Sequence, residues 1–382
     1  MTYYLDADGR RPARVGALRH WRRLASGAVA LAVLTVPVVA GAASAAPTGR
    51  PGTPACKKAC FAHITGDETF RQLAEHPAFA GFGRYIGPWE AGPTWEAVKD
   101  LPITQVAPYL SAYGWDVPTM VDGVNFLIDQ RNKGNRLFHQ IYSDAAVAAD
   151  PAKGTAGVFF IPGKPNAPLA VVLAGGGFTS VASIQEAFPH AKRLHEAGYN
   201  VAVLKYRVSP DGRLPGREGE LKAMADGTDD LAQALRFTRS KLLHKNYRMD
   251  DYALWGSSAG ASIVGAWGVD NQYGAQAHGF RDPAAIISAY MTPRYSDFVG
   301  PSFPDSFVIH AADDDIAPIA GVDALVDKLR GLGVTVDYRR YDTGGHGFGL
   351  GIGTPANGWF DQALAFWAAR TGPGNHPPKN PR

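Results

Sequence analysis

Cysteine is nearly absent from this chain: two residues, Cys56 and Cys60, among 382. That scarcity excludes a disulfide-stapled scaffold. A Cys-x-x-x-Cys pair without a second ligand pair nearby argues against structural zinc. Long apolar runs are equally scarce. The one stretch of note, Leu24 to Val39, is interrupted by Pro37, short for a span and without a basic stop-transfer flank, which favours a cleaved signal over a retained membrane anchor. Neither sign of charge dominates. The formal net charge of +3 comes from the first 45 residues, which hold six arginines against two aspartates. The remainder has 32 basic and 33 acidic side chains, a net of −1. A near-neutral body gives no reason to expect nucleic acid or an anionic membrane surface as a partner.

Residues 1–45 read as an export signal. Arg19, Arg22 and Arg23 form a charged n-region, Leu24 to Val39 an apolar h-region, and Ala43-Ser44-Ala45 a small-residue cleavage site. The mature protein is expected to start near Ala46, outside the cell, with no stable membrane insertion after cleavage. Arg22-Arg23 leaves both the general and the twin-arginine routes open. Residues 46–60 read as a linker, in which Cys56 and Cys60 are expected to close a small local disulfide clip that export permits. Residues 372–382, with four prolines and no apolar run after Pro373, read as a disordered tail.

Between these ends the pattern changes once. Residues 61–150 show no strand alternation. They carry helical spacing, as in Val121, Val124, Asn125 and Ile128, and many aromatics: Phe79, Phe82, Tyr85, Trp89, Trp95, Tyr109, Tyr113 and Trp115. A mainly helical N-terminal extension or cap is expected, its aromatics packing a core in preference to forming a sugar-stacking platform. From residue 151 to 371 short β-rich runs alternate with helical stretches. The runs are Val158–Ile161, Leu169–Ala174, Tyr199–Lys205, Tyr252–Trp255, Ala285–Tyr290, Phe307–Ala311 and Val334–Tyr341. The helical candidates are Ser183–Ala197, Leu231–Leu243, Ser258–Trp267, Ile319–Leu332 and Gly358–Ala369. Continuous apolar strands between helices predict an α/β fold: a mostly parallel sheet covered on both faces, with ligands at the strands' C-terminal edge.

Chemistry concentrates at three such edges. Gly256-Ser257-Ser258-Ala259-Gly260 follows the run Tyr252–Trp255 and opens a helical stretch, the strand–turn–helix setting of a nucleophile elbow. Alone it is weak, because a chain with 44 glycines contains GxSxG by chance about one time in five. Asp313-Asp314-Asp315 follows Phe307–Ala311; three adjacent carboxylates must be solvated or paired, and one can orient a histidine. His346 stands among glycines in Thr343–Gly349, on a loop after the last strand. The order Ser…Asp…His, each at a strand end, is that of α/β-hydrolases. Gly175-Gly176-Gly177, after the strand Leu169–Leu173, offers backbone N–H groups to an open cleft. No Lys-Ser/Thr pair or GxGxxG spacing makes it a nucleotide loop.

From about Val117 to Ala369 the chain resembles the α/β-hydrolase fold. Within it, the chain is similar to the esterase/lipase group that includes acetylxylan esterase-like and feruloyl esterase-like enzymes. The likeness is carried by PLAVVLAGGGFTSVASIQEAFPHAKRLHEAGYNVAVLKYRVSP, LWGSSAGA, VIHAADDDIAP and YDTGGHGFGLG. The resemblance implies Ser258 as nucleophile, His346 as base and Asp314 as the acid, the last from the pattern His-Gly-x-x-Asp-x-x-Val-Pro counted back from Pro318. Ala311 and Ala317 depart from that pattern, so Asp313 and Asp315 stay open as alternatives. It implies an oxyanion hole from Gly176, Gly177 and Ala259, with Ala174 where related lipases have histidine. It also implies that Arg207 pairs with an acid on the following helix. The expected activity is hydrolysis of small-molecule or carbohydrate-linked acyl esters by a secreted serine carboxylesterase, needing no metal and no organic cofactor. A serine exopeptidase and a non-catalytic binding protein on the same scaffold remain the alternatives.

Overall fold

The computed structural model describes residues 60–106, 116–209, 216–242 and 248–371. The chain divides into two units at Lys57/Lys58; the first lies wholly outside the described residues and the second holds all of them. The export signal, Cys56 and the tail after Thr371 therefore lie outside what is described, and so do Tyr109, Tyr113 and Trp115.

The second unit is built on one eight-stranded sheet: β1 (Phe138–Gln140), β2 (Gly157–Ile161), β3 (Pro168–Leu173), β4 (Asn200–Lys205), β5 (Arg248–Ser257), β6 (Ala285–Ala289), β7 (Ser306–Ala311) and β8 (Val336–Tyr341). The order across the sheet is β1-β2-β4-β3-β5-β6-β7-β8. The β1–β2 and β2–β4 pairs are antiparallel, and the pairs from β4 to β8 are parallel. Successive side chains of a strand point to opposite faces. Every residue of β2, β4, β6 and β7 is buried, so both faces are covered and the strands read as unbroken apolar runs.

Helices α6 (Phe188–Glu196), α7 (Gly216–Phe237), α8 (Ala259–Trp267), α9 (Ile319–Gly331) and α10 (Trp359–Ala368) cover the sheet. Helix α6 packs on β3 and β4, α8 on β5 and β6 and against α7, and α9 and α10 on β7. With the serine turn after β5, the aspartates after β7 and the histidine after β8, this is the α/β-hydrolase fold. The stretch before it is mainly helical: α1 (Phe70–Ala74), α2 (Gly92–Val98), α3 (Ile103–Val106), α4 (Val117–Asn132) and α5 (Asp144–Ala149). Of its described aromatics, several are core and Trp89 and Trp95 are half-buried. Phe79, Phe82 and Tyr85 are buried, and Phe82 and Tyr85 stack on Phe138.

Three local features differ from the expected elements. Strand β1 lies in the stretch read as lacking strands; three residues are too few to show alternation. Helix α7 begins some fifteen residues before Leu231; the glycines and aspartates of its first half, residues of low helix propensity, hide it in the sequence. Gly227 is needed there, since a Cβ would stand 2.6 Å from Ile263 Cδ1 on α8. Ser183–Ala187 is a π-helical turn leading into α6, a local widening that periodicity cannot distinguish from a regular helix.

Candidate active site

Ser258 is where β5 turns into α8. Its φ of 49° is in the left-handed region, a strained conformation for a non-glycine residue. The neighbouring glycines are steric requirements. A Cβ on Gly256 would be 2.6 Å from Ala261 Cα, and one on Gly260 would be 2.2 Å from the Leu173 carbonyl oxygen. The Ser258 N–H donates to the Ala289 carbonyl at 3.0 Å, which fixes the turn to the end of β6.

The Ser258 Oγ is 2.8 Å from His346 Nε2, and His346 Nδ1 is 2.8 Å from Asp314 Oδ2. With Nδ1–H donating to the carboxylate, Nε2 is left to accept the serine proton. His346 reaches this position on a loop whose glycines take positive φ at 344, 345 and 347. Asp314 Oδ1 is occupied separately, accepting the N–H groups of Ile316 at 2.9 Å and Ala317 at 2.7 Å. Burial works to raise the Asp314 carboxyl. The hydrogen bond and charge of His346, with the Ala317 N–H, outweigh it and hold the carboxyl below its ordinary range. The structure thus brings Ser258, His346 and Asp314 into one hydrogen-bonded chain and leaves the other two aspartates outside it. Asp313 Oδ1 accepts the Gly345 N–H at 2.8 Å, tying the histidine loop to the β7 end, and Asp315 is exposed.

The glycine-rich loop after β3 lies directly against the serine. A Cβ on Gly175 would stand 2.7 Å from Ser258 Cβ. The loop's carbonyls are tied down one by one. Ala174 O accepts from the Tyr206 hydroxyl at 2.8 Å and Gly175 O from the Ala182 N–H at 3.0 Å. Gly176 O accepts from the Thr179 and Ser180 N–H groups at 3.1 Å each. Among the described residues the N–H groups of Gly176, Gly177 and Ala259 donate to nothing. All three belong to the two segments that meet at Ser258, and the Ala259 N–H stands at the N-terminus of α8, where the helix dipole favours negative charge.

Residues that sequence reasoning passed over surround this site. Glu186, on the π-helical turn, is 3% exposed, and its Oε2 accepts the Gly175 N–H at 2.6 Å. Burial pushes its carboxyl up to about 7, against the lowering effects of the Gly175 N–H and of His346. The one available signal was that Glu186 is the only charge between Val181 and Phe188. Tyr290, at the end of β6, sets its ring edge-on to His346 at 5.3 Å. Its hydroxyl adjoins Glu186 and Ser257 without a hydrogen bond of good geometry. His310 on β7 is fully buried; its Nε2 donates to Ala317 O at 2.7 Å and lies 3.4 Å from Asp314 Oδ2, so it backs the acid turn. Lys205, at the end of β4, is buried and donates to Gly87 O at 3.1 Å and Val181 O at 3.3 Å, with the Glu90 carboxylate at 3.9 Å. It fastens the N-terminal extension to the glycine-rich loop, and burial brings its ammonium down to about 8. Arg207, by contrast, is placed as the resemblance implies: its Nε donates to Asp230 on the following helix, α7, at 2.8 Å, with Asp150 and Asp226 also near its guanidinium.

No protein-family model and no curated protein matches the chain. Among solved structures it is similar to an acetyl ester-xyloside bifunctional hydrolase from Caldicellulosiruptor lactoaceticus, at 16% identity over 61% of this chain and 95% of that one, with a TM-score of 0.47. It is similar to a sugar hydrolase from Lactococcus lactis, at 20% identity over 56% of this chain and 94% of that one, with a TM-score of 0.48. A carboxylesterase from Lactobacillus plantarum WCFS1 is similar at 19% identity over 56% and 92% of the two chains, with a TM-score of 0.46.

Proposed function

We propose that this protein is a secreted serine carboxylesterase acting on small-molecule or carbohydrate-linked acyl esters. The observation that carries the reading is the unbroken chain from Ser258 Oγ through His346 to Asp314, with 2.8 Å at each step. Ser258 Oγ attacks the ester carbonyl carbon as His346 Nε2 takes its proton. Asp314 holds the imidazole tautomer and stabilises the imidazolium. The carbonyl oxygen becomes an oxyanion and meets the N–H groups of Gly176, Gly177 and Ala259. The tetrahedral intermediate collapses, His346 returns the proton to the leaving alcohol, and an acyl group remains on Ser258. Water, deprotonated by His346, attacks the acyl carbon, and the carboxylic acid leaves as Ser258 recovers its proton.

One experiment tests both the chemistry and the export. A host carrying the full chain is grown, and the medium is treated with a fluorophosphonate probe. Labelled protein starting near Ala46 is expected from the wild type, with none from Ser258→Ala. Label on the Ser258→Ala variant overturns the nucleophile; label found only in cells, on a chain with its first 45 residues intact, overturns the export.

A further inference from the structure

We propose that Glu186 is a positioning residue of this site: by holding the Gly175 N–H it aims the Gly176 and Gly177 donors at the oxyanion. The inference rests on the serine-hydrolase reading above and concerns a residue that touches no reacting atom.

Three consecutive glycines are free to take many conformations, so a donor set made of them is accurate only if something fixes the loop. Ala174, the residue before them, carries no polar side chain that could do so. The hydrogen bonds of the loop show what does. Carbonyls 174, 175 and 176 each accept a hydrogen bond, and the Gly175 N–H is the one amide of the glycine triplet that donates within the described residues. Its acceptor is the Glu186 carboxyl. Gly175 is also the residue packed against Ser258, so its peptide orientation sets the distance from the nucleophile to the next two N–H groups.

The setting makes the carboxyl a costly choice unless it has this task. It is buried without a salt-bridge partner among the described residues, between the glycine loop and the Tyr290 ring that flanks His346. A buried acid at such a place is retained against a standing desolvation cost. The π-helical turn that carries it widens the backbone one turn before α6, which delivers the side chain inward under the loop.

Two roles are separable by substitution. If Glu186 acts by accepting the Gly175 N–H, length matters and charge does not. Glu186→Asp withdraws the acceptor by one methylene and keeps the acid; Glu186→Gln keeps an oxygen in place and removes the charge. The measurements are kcat and KM on p-nitrophenyl acetate and the inhibition constant of a trifluoromethyl ketone, whose carbonyl accepts Ser258 Oγ to form a stable oxyanion. All are made per active site counted by fluorophosphonate titration, so that unfolded material lowers the count and not the rate. For Glu186→Asp a fall in kcat of about 10- to 100-fold is expected, with KM within about twofold and the ketone weakened by the same factor as kcat/KM. Glu186→Gln is expected to rescue kcat to within about fivefold of wild type. An active Asp variant beside a crippled Gln variant would mean that the charge acts on His346, and the inference falls. It falls equally if both variants match wild type, or if KM alone changes. Wild type that takes no fluorophosphonate label removes the hydrolase reading itself; wild type that labels and is matched by both variants removes only this inference.

Discussion

At the scale of single residues, the site separates three neighbouring aspartates that look alike in sequence. Asp314 accepts from the His346 ring, Asp313 accepts from the backbone of the loop that bears His346, and Asp315 faces solvent. The physical consequence is a ranking. Asp314→Asn presents an amide where the imidazole needs an acceptor and leaves the ring in the wrong tautomer, so kcat should fall by about 10⁴-fold. Asp313→Asn keeps an oxygen for the Gly345 N–H and should cost less than about tenfold. Steady-state rates on one acyl ester decide the matter, and the reverse order would move the acid to Asp313. The sequence narrowed the acid to three adjacent positions and no further, because position in a turn depends on which backbone N–H groups the carboxylate meets. Those of Ile316 and Ala317 turn Asp314 inward, and neither carries a mark in the sequence.

At the scale of elements, the legible parts were those that repeat: seven of the eight strands and the helices behind them announce themselves by β-rich runs, mostly apolar except at the edge strand β8, and by helical spacing. The illegible parts are the joints. The π-helical turn at Ser183–Ala187, the three-residue β1 and the attachment of the N-terminal extension each depend on partners distant in sequence. That attachment is made by Lys205, whose ammonium joins Gly87 O of the extension to Val181 O at the foot of the glycine-rich loop. Lys205→Met removes both donors at once and leaves Glu90 with its nearest counter-charge gone. A buried ion pair broken on one side costs more than one replaced entirely. Urea unfolding should therefore show Lys205→Met destabilised by about 2–4 kcal/mol, and the double variant Lys205→Met/Glu90→Gln should recover part of that loss. A double variant no better than the single one would mean that the carboxylate and ammonium do not depend on each other, and that the extension is held by its aromatic packing alone.

At the scale of the whole molecule, two buried ionisable groups oppose each other across the acid range. His190 on α6 is enclosed by Trp359 and Phe360 of α10, and burial pushes its imidazole down to about 4. The unfolded chain protonates a histidine near 6.5, so between about 6.5 and 4 the unfolded state binds a proton that the folded state refuses. Stability from this group is present above that window and lost as pH falls through it. Glu186 has the opposite sign. Its carboxyl is pushed from 4.5 up to about 7, so the folded state keeps a proton that the unfolded state releases, and stability from this group is lost as pH rises through that window. Each contributes a slope of about 1.4 kcal/mol per pH unit where it acts, and the two cancel over most of their common range. Removing one should expose the other. Denaturant unfolding at pH 4.5, 5.5 and 6.5 should show His190→Gln losing stability relative to wild type as pH rises, and Glu186→Gln losing it as pH falls. Each difference should amount to about 3 kcal/mol over the two units. Parallel curves for wild type and both variants would mean that neither group titrates differently in the folded chain, and that water reaches the space between α6 and α10 and the space beneath the glycine-rich loop alike.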